Sequence, residues 1–135
     1  MRKTAVLLWI TVLLTFLLCG CRFIKIEEEE PRPLEYTIVK QEEIPEEALS
    51  LIEAKKSGEF QMTYQVGDDL YLIKGYGRQM TGGYSIQAAE VSLSSNAVFF
   101  KTKLLGPSDD TLTTQPSYPY IVIKIKYLEE PVEFV

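Results

Sequence analysis

"EFQMTYQVGDDLYLIKGYG", residues 59–77, decides the fold. Phe60, Met62, Tyr64 and Val66 alternate with polar residues, the period of a strand with one covered face. "GDD" at 67–69 is a turn, because Gly and Asp supply turn geometry and local backbone hydrogen bonds. "LYLIKGYG" returns as the partner strand. Residues 59–75 therefore read as an antiparallel hairpin.

The same pattern continues toward the C-terminus. "YSIQAAEVSL", 84–93, places Tyr84, Ile86 and Ala88 on one side, then continues that side with Val91 and Leu93. The one-residue change of phase predicts a bulge near Ala89. "SSN" turns the chain and "AVFFKTKLL" comes back as a second hairpin. A polar loop, "GPSDDTLTTQPS", covers 106–117. "YPYIVIKIKY" is the strongest strand pattern, with Ile121, Ile123, Ile125 and Tyr127 on one face, and "PVEFV" adds a short final strand.

Toward the N-terminus, "EYTIVK" at 35–40 is a short strand. "IPEEALSLIEAKKSG" reads as a helix with Pro45 at its first position, Glu46 and Glu47 at the positive end of the dipole, Lys55 and Lys56 at the negative end, and Gly58 as the stop. Ala48, Leu49 and Ile52 form its apolar stripe. So short a helix depends on packing against something else. The expected class is α+β, mostly β: five to seven strands in an antiparallel sheet curled into a small sandwich or half-barrel, with one short helix over a face or end.

The first twenty residues differ in kind. "MRK" is basic, "AVLLWITVLLTFLL" at 5–18 is apolar, and "CGC" follows. A basic start, a short apolar run and a small residue before a cysteine are the layout of a secretory signal. An uncleaved anchor is the alternative. Leu18-Cys19-Gly20-Cys21 resembles the lipobox of bacterial lipoproteins. That resemblance implies cleavage after Gly20, a diacylglycerol thioether on Cys21, and anchorage by palmitate-type acyl chains on the extracytoplasmic face of the cell membrane; two or more chains hold where one is marginal. The expected division is a signal at 1–20, a lipid anchor and charged tether at 21–34 containing Glu27–Glu30 and Pro31-Arg32-Pro33, and a single β-rich domain at 35–135. Both cysteines of the 135-residue chain lie at 19 and 21, so the remainder holds no disulfide and no thiol nucleophile.

Net charge is −5, with 14 Lys+Arg against 19 Asp+Glu; loss of Arg2 and Lys3 with a signal leaves about −7. Nucleic-acid binding rests on phosphate neutralisation and is not expected of such a domain. Histidine is absent, which removes the commonest general base and zinc ligand. Ser85 with Lys74 or Lys101 is a formal Ser–Lys pair without supporting spacing. Asp68-Asp69 and Asp109-Asp110 fall in expected turns, where Asp serves the backbone. No catalytic residue, metal, cofactor or small-molecule ligand is inferred, and the protein is expected not to be an enzyme.

One stretch remains, "GYGRQMTGGYSI" at 75–86. It fits neither glycine-rich phosphate pattern, and no helix follows it. Gly82-Gly83 permits positive φ or close backbone approach. The loop is either a docking surface or a structural turn. With "TQPSYPYIVIKI" it resembles the C-terminal domain of the PrcB family, lipoproteins named for membership of a protease complex. Gly77, Thr81, Gly82, Gly83, Tyr84 and Ile86 carry the first motif; Thr114, Gln115, Tyr118, Pro119 and Tyr120 carry the second. The resemblance covers roughly 60–127, and Met80 stands where the pattern has proline. It implies a non-catalytic lipoprotein that binds another envelope or secreted protein, a protease among the candidates, as a member of a protease complex. Arg78, Thr81, Gly82, Gly83, Tyr84, Tyr118, Pro119 and Tyr120 are the contact residues on that reading. The alternative is a chagasin-like protease inhibitor that uses Thr81–Tyr84 as a wedge.

Overall fold

The computed structural model describes residues 2–18 and 30–135. Helix α1 covers Arg2–Leu18 and contains the apolar N-terminal run. Among the described residues no helix is long and apolar enough to cross a membrane. Cys19, Cys21 and Glu27–Glu29 lie outside the described residues, and with them the lipobox and most of the expected tether.

From residue 30 onward the described residues contain eight strands, a 3-10 turn at Gln41–Glu43 and a second α-helix. The strands and the α-helix are β1 (Arg32–Pro33), β2 (Thr37–Ile38), α2 (Glu46–Lys55), β3 (Glu59–Val66), β4 (Asp69–Tyr76), β5 (Ser85–Leu93), β6 (Val98–Leu105), β7 (Tyr120–Lys126) and β8 (Val132–Phe134). One sheet has the order β1-β5-β6-β8 and the other β2-β7-β4-β3. The fold is a small open sandwich, mostly β, as expected; neither sheet closes into a barrel.

The 59–75 hairpin is present. Glu59 to Val66 pairs in unbroken register with Tyr76 to Asp69. The turn is Gly67-Asp68 alone, so Asp69 belongs to the strand rather than the turn. The bulge falls between Ala88 and Glu90, where the register of β5 against β6 shifts.

Two apolar clusters define three layers. Between the sheets lie Leu70 and Leu72 of β4, Ile121, Ile123 and Ile125 of β7, Val91 and Leu93 of β5, and Val98 and Phe100 of β6. On the other side of β4 and β7, Tyr71, Ile73 and Val122 pack under Ile44, Ala48 and Ile52. Helix α2 is thus the third layer, and β4 and β7 are covered on both faces. Phe60, Met62 and Tyr64 complete this second cluster at its margin.

Several local expectations shift. Pro45 is the N-cap of α2 rather than its first residue, with φ −53° and ψ 138°. The helix ends at Lys55, before Gly58 is reached. Val66 and Tyr127 are exposed instead of joining their strands' covered faces. Strand pairing includes residues of the expected tether: Arg32 and Pro33 pair with Leu93 and Ser92, and the Leu34 amide donates to the Val91 carbonyl at 2.9 Å. The last strand runs parallel to β6, the exception in otherwise antiparallel sheets.

Candidate functional site

The residues of the glycine loop and the Tyr-Pro-Tyr segment grow from neighbouring strand ends. Gly75 of β4 lies opposite Tyr120 of β7. Beyond that pair the chains part but keep bonding. The Tyr76 amide donates to the Pro119 carbonyl at 3.1 Å, and Gln79 and Ser117 exchange both backbone bonds at 2.8 and 3.1 Å. Past Ser117 the two segments are loops, and each completes the other.

Three contacts lock them. The Ser117 hydroxyl donates to the Thr81 carbonyl at 2.7 Å. The Gly82 amide donates to Thr113 Oγ1 at 3.0 Å. Gly83, at φ +84°, lies against the Thr111 carbonyl and Pro107 so closely that a Cβ there would collide with the former and sit 2.8 Å from the Pro107 ring. At Gly82 a Cβ would collide with the Thr113 hydroxyl. Both glycines are therefore required by close approach, and Gly83 also by its backbone angle. Thr111 is itself fixed, because its hydroxyl accepts from the Ser108 amide at 3.0 Å.

The locked pair forms one surface. Arg78, Met80 and Tyr118 are exposed on it, Met80 at 75%. Thr81 and Tyr84 are half-buried and Gly82 is buried. The residues that project are thus Arg78 and Met80; Thr81 and Gly82, the start of the expected wedge, are tied down by bonds to Ser117 and Thr113. Lys56, at the end of α2, lies 5.3 Å from the centre of the Tyr118 ring. Its hydrogen bond to Glu53 raises its pKa, against a smaller desolvation effect. Burial raises the Tyr120 hydroxyl above its ordinary pKa. Tyr118, Pro119 and Tyr120 also line a groove of about 440 Å³ shared with Ile38, Val39 and Ile86.

With this geometry in place, residues 70–126 match the family model described as PrcB C-terminal. The match supports the expected resemblance over these residues. The match runs from β4 to β7 and includes both loops. It starts ten residues after the expected position 60, and β1, β2, α2, β3 and β8 lie outside the matched span. No curated protein and no solved structure matches the chain.

Within the matched span every residue singled out in the two motifs lies in or beside the locked loops. Pro107, Thr111, Thr113 and Ser117 were not singled out, yet they make the lock. The loop composition, rich in Ser, Thr and Pro, was the available signal, but their partners lie about thirty residues away and are invisible to local reading. The formal Ser–Lys pairs are not assembled: Lys74 is held by Glu59 at 2.7 Å, and Lys101 stands opposite Glu90.

Proposed function

We propose that this is a non-catalytic lipoprotein that binds another envelope or secreted protein through the locked-loop surface. The supporting observation is that Gly82 and Gly83 seat against the 107–113 segment, so two loops become one pre-ordered surface with Arg78, Met80 and Tyr118 outward. Pre-ordering lowers the entropic cost of docking. Exposed Arg, Met and Tyr are side chains enriched where proteins meet. The lipobox at Cys21 gives the anchor, on the extracytoplasmic face of the membrane. Membership of a protease complex is what the resemblance to the PrcB lipoproteins implies, and the protease-inhibitor reading is weaker because Thr81 and Gly82 are not free to enter a cleft.

The test is co-purification from native membranes, comparing wild type with Met80→Asp and Tyr118→Ala, each checked for an unchanged melting temperature. A specific protein recovered with wild type and lost with both variants is the expected result. An identical set of proteins from all three removes the loops as the docking surface.

A further inference from the structure

Strand β3 is an edge strand, and its eight residues are the longest edge among the described residues. The other terminal strands, β1, β2 and β8, are two or three residues long, and the stretches of β5 and β6 that β1 and β8 leave uncovered are shorter than β3. Short length is one ordinary protection of a sheet edge; charge, proline and bulges are the others. β3 has none of these between Phe60 and Val66. Its register with β4 is unbroken, and "FQMTYQV" contains no charged residue and no proline. In a chain of net charge −5, the strand's own side chains from Phe60 to Val66 set no like charge against a second copy.

Both faces of β3 are also incomplete. Gln61, Thr63 and Gln65, which share the face of the inter-sheet core, are exposed. Beside them a groove of about 610 Å³ opens against Leu128, Val132 and Phe134. On the helix side Phe60, Met62 and Tyr64 are only half-buried. An added strand would extend both clusters.

The sequence of the edge matches itself. In a two-fold antiparallel pairing centred on Thr63, Thr63 faces Thr63, Gln61 faces Gln65, Met62 faces Tyr64 and Phe60 faces Val66. Apolar residues meet on the helix side, and neutral polar residues meet on the other. Glu59 falls opposite Gly67, and Asp68 opposite Gly58, so no two acidic residues oppose one another. Thr–Thr and aromatic cross-strand pairs of this kind are favourable.

We infer that β3 is a self-association edge, through which two copies of this chain join their β2-β7-β4-β3 sheets into one eight-stranded sheet. The interface is independent of the loop surface. A single strand pair covers less area than an obligate interface, so the dimer forms reversibly and dissociates on dilution.

The experiment is light scattering of the full chain in neutral detergent over a concentration series. Wild type, Thr63→Lys, Thr63→Glu and an equimolar mixture of the two variants are compared. Thr63 is exposed, so neither variant disturbs the core, and unchanged melting temperatures check this. The expected result is a protein mass rising from one chain toward two for wild type, and one chain for each variant alone because like charges meet on the axis. The mixture recovers two, since lysine then faces glutamate. A wild-type mass of one chain throughout overturns the inference. So does a Thr63→Lys chain that associates as wild type does, which would place any dimer contact elsewhere, α1 included.

Discussion

From Leu70 to Ile73 and from Ile121 to Ile123, every residue of β4 and β7 is buried; from Ser108 to Gln115, in the loop beyond, every residue is exposed. Both regions are ordered, but different forces order them. The strands are held by apolar burial on two faces, which is large and non-directional. The loops are held by a few directional contacts at Gly82, Gly83 and Ser117, each of which depends on one atom being present or absent. The strands should therefore lose stability in proportion to volume removed, and the loops should fail locally when one contact is blocked.

The largest effect belongs to the strands. Ile123 is fully buried between the sheets and is flanked in register by Leu72. Ile123→Ala should destabilise the fold by about 2–5 kcal/mol through lost transfer energy and the cavity left behind. A denaturant midpoint lowered at constant slope is the expected signature. A shift no larger than that of an exposed site would break the contrast at its stronger end.

Gly83→Ala comes next. It forces an L residue to φ +84° and drives a methyl group into the Thr111 carbonyl. A cost of about 1–3 kcal/mol is expected for such strain. The loop can relieve it by separating from its partner. Amide exchange should then rise at Gly82 and at 111–117 while β7 keeps its protection. Uniform loss of protection would show that loops and strands form one cooperative unit.

Thr113→Val tests the same lock more gently. It keeps the shape and removes the acceptor of the Gly82 amide. A loss of about 1 kcal/mol is expected for one hydrogen bond that water can partly replace. Exchange of the Gly82 amide should accelerate most. If it does not, Gly82 is held by packing alone.

The contrast also explains what the sequence allowed to be read. Strand period, the 59–75 hairpin, the Ala89 bulge and the apolar face of β7 are local patterns, and all are present. The sandwich was legible because alternating residues need a covered face. Burial of β4 on both faces was signalled by the unbroken run Leu70-Tyr71-Leu72-Ile73, which alternation does not explain. The parallel placement of β8 beside β6 was not legible, since three residues carry no record of their partner. At the site, the motif residues could be named, but which of them are tied down could not. That depends on Thr113 bonding to Gly82 across 31 positions. Tyr127 is exposed because it lies one residue past the strand end at Lys126, where its amide bonds the Asp68 carbonyl of the exposed Gly67-Asp68 turn.

The smallest effect is electrostatic and sits where β3 meets β4. Lys74 Nζ lies 2.7 Å from Glu59 Oε1 and 5.2 Å from the Tyr76 ring centre. The lysine side chain is only 12% exposed and the glutamate 66%. Glu59's hydrogen bond to Lys74 and the attraction of its charge hold the carboxyl below its ordinary pKa of 4.5. A carboxyl lowered in the folded state contributes stability above its unfolded pKa, and the contribution disappears as pH falls through the folded value. Glu59→Gln should therefore lower the melting temperature slightly at neutral pH, and the difference from wild type should close in acid. Because Glu59 is solvated, added salt should shrink the same difference. A gap that persists unchanged into acid would mean that the glutamate contributes packing rather than charge, and the edge of the sheet would then be held by the same forces as its centre.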